Sequence, residues 1–340
     1  MREKPNIAEE QLLTHVEDEY HLSVLNLEFL PLGLDTNAGT YRVVTRQGGA
    51  YFLKAKRATS FYEPACIVPR YLRDQGIAAV VAPIPTRQQT LWTQLENWRI
   101  ILYPFIDGET GWQPGLSDEQ WCTVGVALKQ IHGATLPPES FPPLRNERFD
   151  PGEYSRWIES FEAQQLASHD GSSIERDLRS CWIAHQSTIH TLLTLMKNLA
   201  RSLQTQAGPH VVCHADLHPG NILRTPSNDV FVIDWDDVML APKERDFLFV
   251  NETGSTGQTP SPFFQGYGAT EIDWTALTYY RGERVITDLI ECARDVLFRD
   301  DLEEATKAEA VELFRDIFGE NGEINLAFAT AAHLEQRSGD

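Results

Sequence analysis

One stretch limits the fold more than any other: Val211-Val212-Cys213-His214-Ala215-Asp216-Leu217-His218-Pro219-Gly220-Asn221-Ile222-Leu223, followed by Val230-Phe231-Val232-Ile233-Asp234-Trp235-Asp236-Asp237. It holds two apolar runs, each closing on polar residues. Val211, Val212 and Cys213 favour a strand, and Pro219 with Gly220 breaks any helix just beyond. The expected local structure is a strand, a loop carrying His214, Asp216 and Asn221, and a further strand ending at Asp234.

Phosphoryl transfer in kinases needs a carboxylate near the attacking hydroxyl, and an amide plus a second carboxylate on the magnesium that bridges the phosphates. The offsets of His214, Asp216 and Asn221 match the H-x-D-x-x-x-x-N catalytic loop. Asp216 is then the catalytic base, Asn221 and Asp234 are the magnesium ligands, and His214 supports the loop by hydrogen bonding. A lone Asp is usually a turn or cap residue. Three polar residues at prescribed offsets, with a second Asp directly after Val-Phe-Val-Ile, are not expected from turns alone. A competing reading takes His210, His214 and His218, spaced every four residues, as zinc ligands on one helical face. The strand-forming and helix-breaking residues around them oppose it.

The first hundred residues mix a short helical pattern (Leu12, Leu13, Val16, Tyr20) with strand patterns: Leu25, Leu27 and Phe29 at period two, then Thr40–Thr45 and Ala50–Leu53 around a turn. A second hairpin joins Thr90–Gln94 to Trp98–Leu102. Beyond it helices dominate, starting at a Ser117/Gln120 capping-box spacing and including 174–205, 274–298 and 302–318. The fold class expected is α+β and bilobal, with a small antiparallel sheet lobe over residues 1–106 and a mainly helical lobe over 107–340. Linkers are read at 136–143 and 251–262.

Lys54, closing Tyr51-Phe52-Leu53, resembles the strand lysine that reaches ATP phosphates, with Lys56 or Arg57 as alternatives. Its expected partner is Glu63, at the start of a helix that Pro69 should kink or divide. Gly33 and Asn37 lie in the candidate phosphate-covering loop. Tyr103 and Phe105 lie in the candidate adenine-binding hinge.

The formal net charge of -20, from 49 acidic against 29 basic side chains, opposes a nucleic-acid partner and suits a cationic ligand; solubility alone is the competing explanation. Five widely spaced cysteines without a C-x-x-C pair suit reduced thiols. The polar first ten residues and the lack of a long apolar run give no sign of secretion or of a membrane partner, so a cytoplasmic location is expected.

His-Ala-Asp-Leu-His-Pro-Gly-Asn (214–221) and Ile-Asp-Trp-Asp-Asp (233–237) resemble the two signatures of the aminoglycoside phosphotransferase family, which includes choline-kinase-like enzymes. The segments 101–106, 239–246, 279–281 and 283–284 extend the likeness toward kinases of spectinomycin-type aminocyclitols. The resemblance implies a protein-kinase-like fold, ATP with Mg2+ as donor, an antibiotic hydroxyl as acceptor, and the roles given above for Lys54, Asp216, Asn221 and Asp234. An amino alcohol or sugar as acceptor stays open, as does a nucleotide-binding protein without turnover. Candidates to line the acceptor cleft and pair with amines are Asp236, Asp237, Glu244 and Glu283, with aromatic Trp235, Tyr267 and Tyr279. Arg245 and Asp246 are candidates to tie down the catalytic loop. For all of these a structural role is the competing reading.

Overall fold

Alternating apolar residues build the first sheet. The computed structural model describes residues 4–33, 35–137, 141–168, 170–206, 208–250 and 260–338, so Leu34 of the candidate phosphate loop and parts of the two expected linkers (138–140, 251–259) lie outside it. Helix α1 (Glu9–Tyr20) leads into β1 (Val24–Leu30), β2 (Ala38–Thr45), β3 (Ala50–Arg57), α2 (Pro64–Asp74), β4 (Thr93–Leu95) and β5 (Trp98–Pro104). The five strands form an antiparallel sheet in the order β1-β2-β3-β5-β4. Tyr41, Val43, Leu53, Ala55, Ile100 and Leu102 bury one face of it against Leu12 and Val16 of α1. Lys54 and Lys56 alternate with Leu53 and Ala55, so their side chains leave β3 on the other face.

Two local expectations change. In β1, Val24 pairs with Thr45 and Asn26 with Val44, so Leu25 is an extra, bulged residue and is 59% exposed, while Leu27 and Phe29 pack on the core. Helix α2 is one element with Pro69 inside it. Pro69 stands at the middle of the helix, where its missing N–H forfeits a single backbone bond. Burial of Ala65, Cys66, Val68, Pro69 and Leu72 along the helix offsets that loss.

The segment after α2 joins this sheet to the strand that precedes Asp234. Val232 N donates to Ala79 O (2.7 Å), and Val81 N donates to Val232 O (3.1 Å). Next come β6 (Glu109–Thr110), α3 (Asp118–His132) and β7 (Arg145–Asn146). The expected capping box forms at α3: Gln120 N donates to Ser117 Oγ (3.2 Å), and Ser117 N to Gln120 Oε1 (2.9 Å). Helices α4 (Gly152–Gln165) and α5 (Ser173–Gln206) intervene before β8 (Val211–Cys213), β9 (Ile222–Arg224), β10 (Val230–Val232) and β11 (Met239–Ala241). These short strands form two sheets, β10-β9-β6 and β7-β11-β8. Helix α6 (Pro262–Tyr267) follows, then α7 (Trp274–Leu297), α8 (Glu304–Ile317) and α9 (Glu323–Ser338).

The chain divides into two compact units. One joins Arg2–Asn146 to His210–Thr270; the other joins Glu147–Pro209 to Glu271–Asp340. The cut differs from the break read at residue 106: the first sheet and strands β8 to β11 fall in one unit, and bonds join 79–81 to β10. The second unit is wholly helical among its described residues. Its core is lined by Leu178, Trp182, Ile189, Leu192 and Met196 of α5, by Ile286 and Leu289 of α7 and by Phe314 of α8, all fully buried. No helix among the described residues is long and apolar enough to cross a membrane.

Candidate active site

The loop after β8 is held by a buried carboxylate. Asp246, on a 3-10 turn over Lys243–Phe247, accepts His214 N at Oδ2 (2.9 Å) and Ala215 N at Oδ1 (2.7 Å). Ala215 has φ of +71°, and that left-handed conformation turns both amides toward one carboxylate. His132, at the end of α3, donates from Nε2 to the same Oδ2 (2.9 Å) and accepts the Tyr267 hydroxyl at Nδ1 (2.9 Å). Helices α3 and α6 meet closely enough for this bond because Gly266 leaves no room for a Cβ against the Cys122 carbonyl.

His214 then ties the loop to the next strand. Its Nε2 donates to Ile233 O (2.9 Å) and its Nδ1 accepts Asp216 N (3.3 Å), which defines the Nε2–H tautomer. Ile233 N donates to Asn221 O (3.0 Å), so the peptides on both sides of Ile233 are fixed just before Asp234, itself at φ +59°. Trp235 is buried, packs edge-on to His214 at 4.8 Å and donates to Val232 O (3.4 Å).

Asp216, Asn221 and Asp234 are thereby brought together. Asn221 Nδ2 donates to Asp216 O (2.8 Å) and Asp216 Oδ2 (3.1 Å), which leaves its amide oxygen as an acceptor. Asp216 and Asp234 keep 23% and 43% of their side-chain surface open. Lys54 reaches Asp234 Oδ1 (2.8 Å) and Asp236 Oδ2 (2.9 Å). Among the described residues, neither Asn221 Oδ1 nor Asp234 Oδ2 has a protein donor. Two hard oxygen atoms on neighbouring segments suit a cation such as magnesium.

The lysine pairing differs from the expected one. Glu63 stands exposed at the N-cap of α2, and Lys54 pairs with Asp234 and Asp236 instead. Lys56 joins the network, binding Asp236 and Asp35 (2.7 Å). Burial alone would lower the Lys54 ammonium, but Asp234 and Asp236 outweigh it and hold its pKa well above the ordinary lysine value. Burial would likewise raise Asp236, and the two lysines hold it well below the usual carboxylate range. Cys66, buried on α2 beside these groups, is pushed up to about 12 by burial and by the charge of Asp236. Sequence reading named Lys56 only as an alternative to Lys54, and missed Asp35 and His132. Lys56 alone carried a signal, lying two residues beyond Lys54 on the same strand face.

The remaining candidates scatter. Gly33 (φ +83°) is exposed, and Asn37 N closes the loop on Asp35 Oδ1 (2.8 Å). Tyr103 sits on β5 with its hydroxyl against Cys66, while Phe105 lies under the Arg42 guanidinium at 4.9 Å. Asp237 is exposed and pairs with Arg145 (3.2 Å), and its pKa lies above the ordinary aspartate value, with the charge of Asp216 among the causes. Arg245 is half-buried on the turn that carries Asp246. Glu244 is buried and binds Lys243 (2.8 Å). Trp235 and Tyr267 are buried, which puts them in packing rather than on an open wall. Tyr279 and Glu283 belong to the helical unit and are also buried, Glu283 accepting the Tyr154 hydroxyl (3.1 Å). The zinc reading of His210, His214 and His218 loses its geometry, since the rings bond Asn146, Ile233 and Gly220 respectively. His132, Cys213 and Asp246 lie close enough to hold a metal, but each is committed to protein hydrogen bonds.

An antiparallel sheet joined to a loop with these offsets, a strand-end carboxylate and a strand lysine defines a protein-kinase-like phosphotransferase. Residues 28–280 match the phosphotransferase enzyme family (APH), and the chain belongs to it. The spectinomycin phosphotransferase APH(9)-Ia, solved in complex with ADP and spectinomycin, is similar at 31% identity and a TM-score of 0.83, covering 96% of this chain and 99% of that one. An amicoumacin kinase, hAmiN, bound to AMP-PNP, Ca2+ and Ami, shares the fold at 15% identity and a TM-score of 0.59, with 93% and 95% coverage. Protein StrN of Streptomyces griseus is 24% identical over 79% of this chain and 81% of its own length. The chain is thus a small-molecule phosphotransferase acting on a hydroxyl acceptor.

Proposed function

We propose that this enzyme transfers the γ-phosphoryl group of ATP to a hydroxyl of a spectinomycin-type aminocyclitol. The observation that carries the reading is the Asp216, Asn221, Asp234 and Lys54 cluster, in a chain that is similar over nearly its whole length to a phosphotransferase bound to spectinomycin. Residues 1–106 supply the nucleotide-binding half in this reading, and 107–340 the catalytic loop and acceptor groups. Lys54 exchanges its carboxylate partners for phosphate oxygens when the nucleotide enters. Asn221 holds Asp216 so that its carboxylate takes the proton of the acceptor hydroxyl and aligns the oxygen for attack. The Asn221 amide oxygen and Asp234 would hold magnesium, which would supply charge neutralisation at the phosphates. Exposed Asp237 and the strongly acidic chain favour an acceptor that carries protonated amines.

Purified enzyme would be incubated with Mg-ATP and separately with spectinomycin, several aminoglycosides, choline and simple sugars, following ADP release and product mass. Phosphorylated spectinomycin is the expected product. In Asp216→Asn, kcat falls by about 10²- to 10⁴-fold with nucleotide binding retained. Turnover confined to choline or a sugar overturns the acceptor assignment, and near-normal turnover in Asp216→Asn overturns the base.

A further inference from the structure

His218, two residues past Asp216, has no part in the reaction as described above, yet the fold mounts it with care. Its Nδ1 accepts Gly220 N (3.0 Å), which leaves the proton on Nε2, and Nε2 lies 3.5 Å from Asp216 Oδ2. That is the oxygen already bonded by Asn221 Nδ2 (3.1 Å), so His218 Nε2 stands at the outer limit of hydrogen-bond reach from an atom that Asn221 already holds. The imidazole is stacked face to face with Trp112 (5.5 Å, 20°), and Phe249 meets it edge-on at 5.8 Å.

Trp112 is 56% exposed and is nonetheless held firmly at its backbone. Strand β6 pairs with β9 just before it, and Gly111 N donates to both Pro219 O (2.8 Å) and Ile222 O (2.9 Å). A Cβ on Gly220 would stand 2.5 Å from Trp112 Nε1, so glycine is what allows the indole to lie down on the catalytic loop. An exposed indole strapped over one histidine serves that histidine's orientation.

We propose that His218, backed by Trp112, is a positioning residue for the base: its Nε2–H, together with Asn221, fixes the rotamer of the Asp216 carboxylate against the acceptor hydroxyl. The inference rests on Asp216 acting as the base. The competing role for His218 is capping the short turn through Nδ1. Asparagine and glutamine separate the two roles, because the Asn oxygen replaces Nδ1 and the Gln amide nitrogen replaces Nε2.

The test measures kcat, KM for ATP and KM for acceptor in the full-length enzyme and its His218→Gln, His218→Asn, Trp112→Ala and Asp216→Asn variants, with urea unfolding of each. The acceptor is the one turned over in the panel, or water as ATP hydrolysis if none is. His218→Asn is expected to lose about tenfold in kcat at unchanged KM for ATP; His218→Gln stays within about threefold of wild type, and Trp112→Ala falls between them. Gln no better than Asn, or a loss that follows unfolding free energy alone, overturns the proposal. Near-normal turnover in Asp216→Asn overturns the reading beneath it, whereas an inactive Asp216→Asn beside a wild-type His218→Asn overturns the positioning role only.

Discussion

In the helical unit, Trp182 of α5 is fully buried, with its ring 4.5 Å from Phe161 and 5.8 Å from Phe314, and the residues that continue its face are Ile189, Leu192 and Met196. Around the loop after β8 the buried polar groups include His132, His214, Asn221 and Asp246, and hydrogen bonds set the orientation of each. Apolar area holds α5, and it tolerates small displacements because dispersion and burial have no preferred direction. The loop is held by direction, which costs desolvation but sets a carboxylate and an amide to fractions of an ångström. A phosphoryl-transfer site needs the second kind of holding.

Removing the anchor of the loop should give the largest effect. Asp246→Ala leaves two backbone amides and the His132 N–H without their acceptor, and is expected to cost about 3–5 kcal/mol of stability. Because the Ala215 turn then relaxes, kcat is expected to fall about 100-fold or more. Urea unfolding and steady-state kinetics check both; a variant that is destabilised but fully active would mean the loop is held by something other than Asp246.

Trp182→Ala is the matching test in the helical unit. The cavity is expected to cost about 3–5 kcal/mol as well, with kcat at low temperature within about twofold of wild type. A drop in kcat as large as that of Asp246→Ala would erase the distinction between the two kinds of holding.

The difference also decides what the sequence could reveal. Apolar periodicity placed helix α5 at 174–205 against an observed Ser173–Gln206, and the third long pattern at 302–318 against Glu304–Ile317, because burial of a helical face is written in spacing. Offsets within one loop brought out His214, Asp216 and Asn221, with Asp234 on the strand that follows. The partner of Lys54 was out of reach, since Asp236 lies 182 residues away and only the fold joins them. Leu25 misled for a related reason: its bulge depends on the register against β2, not on its own run of residues. Trp235 and Tyr267 read as cleft aromatics from their neighbourhood in sequence, and burial put both into packing.

The smallest effect tests whether directional holding extends to the first sheet. Burial alone would raise the Asp35 carboxyl, but the Lys56 charge and hydrogen bond and the Asn37 amide hold it below its ordinary value. A carboxylate with a lowered folded-state pKa adds stability that is complete above its unfolded pKa and is lost as pH falls through the folded value. Asp35→Asn is therefore expected to destabilise by about 1 kcal/mol at pH 7, the scale of a partly exposed ion pair. As pH falls below the ordinary aspartate value and on through the lowered folded-state value, wild-type Asp35 becomes protonated and as neutral as asparagine, so the gap between the two proteins closes. Urea midpoints at neutral and acid pH read this directly. A gap that stays constant across the range would show that Asp35 holds its loop through shape, in the manner of the helical core, and that charge-directed holding stops at the catalytic strands.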